Sequence, residues 1–337
     1  MRRLTDTKLI LVTRPTRVAE LKRRFNTLAQ AQFYVSHLGQ DFSDYEREDE
    51  RYAKAVQDVR NTLETLGRFQ SVDRSFLPNF VFGPDDVVVV VGQDGLVANT
   101  VKYLQGQPVI AANPDPARWD GLLLPFVVSD LDRVVPEVLR KERPTKAVTM
   151  AQATLNTGET RYAVNDLFIG PRSHTSARYI IEQGQRSENQ SSSGLIVSTG
   201  LGSTGWLTSL LVGASAISRS VGNPDPSEPG ALSARPPRLP GSTSSRRATQ
   251  SQTRAAHGFP WDASHLCFTV RGPFPSKTTQ AEMVFGRVTA SAPLTLISQM
   301  PENGVILSDG IEADFLEFRP GARATIAPAQ RQGHLVI

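Results

Sequence analysis

Along the first third of the chain, continuous apolar runs take turns with stretches in which apolar residues recur at helical spacing. Residues 8–12, KLILV, predict a first strand, and residues 17–28, RVAELKRRFNTL, predict a helix with Val18, Leu21, Phe25 and Leu28 on one face. Residues 45–66 predict a second helix, charged outside, with Tyr52, Val56, Val59, Leu63 and Leu66 as its apolar stripe. Residues 86–92, DVVVVVG, form an unbroken β-branched run, which suits a strand buried on both faces of a parallel sheet. Residues 106–116, GQPVIAANPDP, add another strand and a Pro-punctuated turn. Strands alternating with helices predict a Rossmann-like α/β domain over residues 1–126.

A connecting helix is expected in residues 128–142, with Ser129 as its cap. Beyond it the rhythm changes. Short runs rich in β-branched and aromatic residues follow at 146–155, 160–170, 177–184, 193–200, 266–272, 286–299, 303–310 and 322–329, separated by turn residues. They predict an all-β, sandwich-like domain over residues 127–337, interrupted by one helix in residues 204–218. Residues 222–257 hold almost no large apolar side chain and are dominated by Pro, Ser, Gly and Arg. Such a segment buries too little surface to offset its ordering entropy, so a flexible insertion is expected there, a tolerated loop or a basic tether.

Composition narrows the function classes. No apolar run approaches the roughly 18 residues of a membrane span, and no signal peptide is read at the start, so no membrane partner is expected. The single cysteine, Cys267, leaves no internal disulfide, and the five scattered histidines show no zinc-ligand spacing, so no metal-ligating residue is named. A reducing, cytoplasmic location fits that usage. A net charge of +4 is mild for 337 residues, and it allows nucleic-acid binding without arguing for it. None is expected. No P-loop and no Gly-x-Gly-x-x-Gly fingerprint occurs.

Four stretches carry candidate chemistry. In GQDGL, residues 92–96, the five-valine strand meets a helix start, where backbone N–H groups favour phosphate oxygens. Gly92 and Gly95 let a backbone approach a ligand, and Asp94 projects toward the crevice, able to accept a proton or meet a metal ion. An Asp-Gly turn is the plain alternative. Asn165 and Asp166 together supply donors and acceptors suited to the paired hydroxyls of a ribose, or simply a polar strand end. Residues 192–210 run a strand into a Gly/Ser/Thr turn, with Gly200, Gly202 and Gly205 in the turn and a helix starting near Thr204. Trp206 offers a flat surface for a base, or a core side chain, and Ser209 lies within one helical turn of it. Asp309-Gly310 reads as a hairpin turn.

Taken together, GQDG, ND and GSTGW resemble, in order and spacing, the motif series of the NAD kinase family, closest to its divergent mitochondrial-type branch. The stretches PVIAANPDPARWDG, NDLFIGPRSHTSARY and SSGLIVSTGLGSTGW extend the resemblance from about Lys8 to the Arg319 region. The resemblance implies an α/β domain followed by a β-sandwich, and transfer of the terminal phosphate of ATP, or of another donor, to the 2′-hydroxyl of the adenosine ribose of NAD. A divalent metal such as Mg2+ would assist. It implies that Asp94 orients or deprotonates that hydroxyl and that Gly92, Gln93 and Gly95 lie in the phosphate-cradling turn. Asn165 and Asp166 would hold a ribose, and Thr204, Gly205, Trp206 and Ser209 would form the adenine pocket. A homodimer or larger homo-oligomer is implied as well. Arg172 and Arg178 are phosphate-binding candidates by nearness to Asn165 in sequence.

Two positions depart from the family pattern. Gln93 stands where the family has a second glycine, and Leu96 where it has Thr or Ser. If the backbone at position 93 needs a positive φ, Gln is strained there; alternatively its amide donates to a phosphate. A non-catalytic NAD(P)-binding protein of the same fold, or a kinase on another hydroxylated substrate, are the other readings.

Overall fold

The computed structural model describes residues 5–222 and 258–337. Two compact units form: residues up to Met150 together with Ala329–Ile337, and Ala151–Pro328.

The first unit runs β1 (Lys8–Thr13), α1 (Arg17–Phe25), α2 (Leu28–His37), α3 (Ser43–Leu66), β2 (Arg68–Asp73), β3 (Val87–Val91), α4 (Asp94–Val101), β4 (Pro108–Asn113), β5 (Phe126–Val127) and α5 (Leu131–Leu139). Its parallel sheet has the order β2-β1-β3-β4-β5. All five valines of β3 are buried, as a central parallel strand requires. On one face, Tyr52, Val59 and Leu63 of α3 and Leu131, Val134 and Val135 of α5 share a core with Leu9, Leu11 and Val89.

The apolar stripe expected across residues 17–28 is broken. Asn26 takes φ 64°, and the Thr27 hydroxyl accepts the Gln30 N–H at 3.2 Å as the cap of a separate helix. Leu28 therefore opens α2 and stays exposed. Ser129 does not cap α5. It sits in a short 3-10 turn, Val128–Asp130, and the carboxylate of Asp130 instead accepts the Val127 N–H at 2.9 Å.

The second unit follows the crossing strand β6 (Thr145–Leu155). It contains β7 (Thr160–Ala163), β8 (Asp166–Pro171), β9 (Ala177–Gln183), β10 (Arg186–Ser192), β11 (Leu195–Ser198), α6 (Trp206–Gly222), β12 (His265–Val270), β13 (Phe285–Thr289), β14 (Leu294–Ser298), β15 (Gly304–Ser308), β16 (Ile311–Glu317) and most of the span leading into β17 (Arg323–Val336). One antiparallel sheet has the order β13-β12-β11-β8-β15-β16. A second is built from β10, β9, β14 and the start of β17. Leu167, Ile169, Val197 and Phe268 of the first meet Tyr179, Ile181, Leu296 and Ile326 of the second in one core. An α/β unit and a β-rich unit are thus both present.

The units divide at residue 150 rather than 126. The reason is packing: α5 gives its apolar face to the first core, and Leu335 near the chain end pairs with Val109 of β4. The expected insertion at 222–257 falls, from residue 223 on, outside the described residues.

Candidate active site

The turn after β3 belongs to the first unit. Gly92 ends the valine strand, Gln93 takes φ −117° and ψ 164° as the cap residue of α4, and Asp94 is the first helical residue. That φ is open to any amino acid, so Gln93 is unstrained where the family has glycine. Among the described residues the Gln93 amide makes no cap bond. Its carbonyl accepts the Leu96 N–H at 2.8 Å. Gly95 is exposed, with open space where a Cβ would stand. Leu96 is buried and lies against Gly92, so position 96 faces inward.

The Asp94 carboxylate is oriented by a second loop. Its oxygens accept the N–H groups of Leu123 at 2.8 Å and Leu122 at 3.2 Å. Asn113, at the end of β4, shapes the same loop by donating to the Trp119 carbonyl at 3.0 Å and accepting from the Asp115 N–H at 3.0 Å. One bond per oxygen leaves each with a lone pair for a further donor.

In the second unit, Asp166 opens β8, with Asn165 just before it, and β8 is flanked by β11 and β15 in the sheet. Asp309 fixes this turn. Its carboxylate accepts the N–H groups of Asn165 at 2.7 Å, Val164 at 3.0 Å and Asp166 at 3.3 Å. Asp309 and Gly310 take φ 54° and 69°, the two positive values that a tight two-residue hairpin demands. The hairpin turn is therefore present, and it also brings a carboxylate to the Asn165–Asp166 pair. Thr199 clamps the other side: its N–H donates to the Asn165 carbonyl at 2.9 Å, and its hydroxyl to the Val164 carbonyl.

The glycine loop follows directly. The Gly202 N–H donates to the Thr199 hydroxyl at 3.2 Å, and a Cβ on Gly202 would overlap the Asn165 carbonyl. Only glycine admits that approach. Thr204 closes a 3-10 turn, and Gly205 and Ser209 are exposed, with the Ser209 hydroxyl donating to the Gly205 carbonyl at 3.2 Å. Trp206 begins α6 and stacks on Phe168, with centroids 5.9 Å apart and planes at 20°. The Arg271 guanidinium lies 5.1 Å from the Trp206 ring centre. Phe168 follows Asp166 by two residues, so both project from one face of β8, while Leu167 and Ile169 face the core. Asp166 and Trp206 thereby address one sheet face, and Trp206 is a half-exposed platform rather than core.

Burial pushes the Asp166 carboxyl up to about 7, and the Asp309 charge adds to the rise. Among the described residues no donor reaches that carboxylate, which leaves it available to a ligand hydroxyl. Arg172 is placed away from this turn. It follows the far end of β8, about 20 Å of strand from Asp166, with its guanidinium 3.8 Å over Phe315. Arg178 lies on β9, in the other sheet. Asp309, Thr199, Phe168 and Arg271 are the residues that motif reading missed; of these, only Asp309-Gly310 carried a signal, and it pointed to a turn.

No protein-family model matches the sequence, and no curated protein matches it. Solved structures do. The crystal structure of an NAD kinase from Archaeoglobus fulgidus in complex with ATP matches with a TM-score of 0.54 and 13% identity, over 98% of this chain and 94% of that chain. The fold is similar to that of NAD kinases. The structure of yeast NADH kinase complexed with NADH matches with a TM-score of 0.53 and 14% identity, over 98% of this chain and 84% of that one. At these identities the likeness speaks for the fold, an α/β unit with a β-rich unit.

Proposed function

We propose that the protein is an NAD kinase, transferring the terminal phosphate of ATP to the 2′-hydroxyl of the adenosine ribose of NAD. The observation that carries this reading is the face of β8: an Asn165–Asp166 turn held by Asp309, beside a glycine loop and an exposed Trp206. Paired polar groups next to an aromatic platform suit a ribose and its base. The fold supports it, since the similar structures are of kinases bound to ATP and to NADH.

The chain's own part in the chemistry follows from the two turns. Asp94, held in position by the Leu122 and Leu123 N–H groups, accepts the proton of the attacking hydroxyl. The oxygen–phosphorus bond forms at the ribose, the terminal phosphoanhydride bond breaks, and the displaced diphosphate leaves with the electron pair. The open Gly95 backbone and the amino end of α4 receive phosphate oxygens. Among the described residues no group of three or more His, Cys, Asp or Glu side chains could hold a metal unaided. Asp94, with an open lone pair on each oxygen, would be the residue to meet a magnesium ion carried by the triphosphate. When bound, the ion supplies charge neutralisation on the phosphate oxygens.

Purified full-length protein incubated with NAD, Mg2+ and ATP is expected to form NADP, read by an NADP-specific cycling assay. Other nucleoside triphosphates and inorganic polyphosphate serve as alternative donors. Tight NAD binding with no NADP from any donor would favour the non-catalytic reading, for which Gln93 and Leu96 are the motive.

A further inference from the structure

The second sheet of the second unit has an outer face, across the core from Phe168 and Trp206, that takes no part in the chemistry above. Tyr179 and Ile181 of β9 enter the core, so Arg178, next to Tyr179, faces out. Directly across from Arg178 on β10 stands Ser191. Gln190 and Ser192 are buried, so Asn189 and Ser191 share the outer face with Arg178. Gln299, just past β14, donates its backbone N–H to the Arg178 carbonyl at 2.9 Å and its side-chain amide to the Asn189 side-chain oxygen at 3.1 Å.

β10 is an edge strand, and residues 272–281 run along it. The Phe274 N–H donates to the Ser191 carbonyl at 2.9 Å, and the Gln280 N–H to the Asn189 carbonyl at 2.8 Å. Between these ties the chain closes a tight turn. The Ser276 N–H donates to the Thr279 carbonyl at 3.0 Å, and the Thr279 hydroxyl to the Phe274 carbonyl at 2.7 Å. The bonds fix the backbone at Phe274, whose ring stays 65% exposed. Loop and sheet together form a hollow of about 440 Å³. Hydroxyl and amide groups make up most of its wall, with Phe274 as the aromatic side chain and Arg178 as the charged one. Among the described residues no Asp or Glu lines it, and the Arg178 guanidinium has no ion pair.

A guanidinium with no carboxylate on it presents an open fork to an oxyanion. Serine and threonine hydroxyls and side-chain amides both donate and accept, which matches the hydroxyl groups of a sugar. The Phe274 ring offers a flat apolar face to the C–H side of a pyranose. A simple ion would leave the ring and the hydroxyl wall unused, and a neutral sugar would leave the charge unused. The volume falls among those of small-molecule sites. We infer that this hollow binds a small hydroxylated anion, a sugar phosphate or a sugar acid, with Arg178 on the anionic group and Phe274 against the sugar ring. The site lies in the other sheet from the Asp166 turn, and it does not rest on the kinase reading.

The test is calorimetric titration of the full chain with glucose 6-phosphate and with glucuronate, and with glucose and inorganic phosphate as parallel arms. At least one of the two sugar anions is expected to bind about tenfold or more tightly than either glucose or phosphate, and which one does so names the anionic group. Arg178→Gln, a change at an exposed side chain, is expected to weaken that binding about tenfold, and Phe274→Ala about threefold. Arg178→Lys keeps the charge without the fork and is expected to fall between Arg178→Gln and the unmodified protein. Arg186→Gln, on β10 but outside the hollow, should change nothing. Saturating NAD should leave the titration as it was. Binding of neither sugar anion, equal binding of glucose or of free phosphate, full affinity in Arg178→Gln, equal weakening by Arg186→Gln, or displacement by NAD would each overturn the inference.

Discussion

Asp309 is the residue on which most of the second-unit site depends. Three backbone N–H groups, from Val164, Asn165 and Asp166, converge on its carboxylate. Replacing it with alanine leaves those donors without their acceptor, and Asp309→Ala is expected to cost about 2–4 kcal/mol in urea unfolding and to weaken NAD binding. Asp166 carries a pH signature. Its folded-state pKa, about 7, lies above the ordinary aspartate value, so the native state gives up stability as pH rises from about 4 through about 7. Asp166→Asn does not titrate there. The variant should be more stable than the unmodified protein above pH 7, by an amount on the order of a few kcal/mol, and the gap should close by about pH 4. Thermal unfolding across that pH range reads it. Motif spacing singles out Asn165, Asp166 and the Gly202–Trp206 loop as candidates. It did not carry the role of Asp309, whose partners lie 143 to 145 residues away in sequence. A turn dipeptide states its own backbone, not what its side chain meets after folding.

Elements set the limits on the departures from the family pattern. The strand-to-helix junction after β3 was legible because five buried valines leave little choice of structure. The conformation of Gln93 was not, since a glycine motif does not disclose the sign of φ. With φ at −117°, Gln93→Gly relieves no strain and adds freedom to the unfolded chain, and it is expected to cost about 0.5–1 kcal/mol. Leu96→Thr puts a hydroxyl into a buried position beside Gly92, for an expected loss of about 1–3 kcal/mol. Chemical denaturation of the two single variants checks both values. The break between α1 and α2 shows the same limit: apolar spacing runs through Asn26 and Thr27, and the left-handed Asn26 and the Thr27 cap decide the matter locally.

At the level of the whole molecule, the chain end belongs to the unit that begins it. Leu335 and Val336 are buried, and residues 334–335 pair with Pro108 and Val109 of β4. Composition along the chain suggested that everything after residue 126 was one β-rich domain, because a short apolar strand looks the same wherever it pairs. Removal of residues 329–337 should therefore destabilise the α/β unit, seen as lost hydrogen-exchange protection in β4 and β3. The kinase reading stands on the reaction. Phosphorus NMR of unmodified protein with NAD, ATP and Mg2+ tests it most directly. The kinase reading predicts a growing phosphomonoester signal coupled to the ribose 2′ proton of the adenosine half, matched by ADP. ADP and free phosphate with NAD unchanged, or no turnover at all while NAD stays bound, would contradict it.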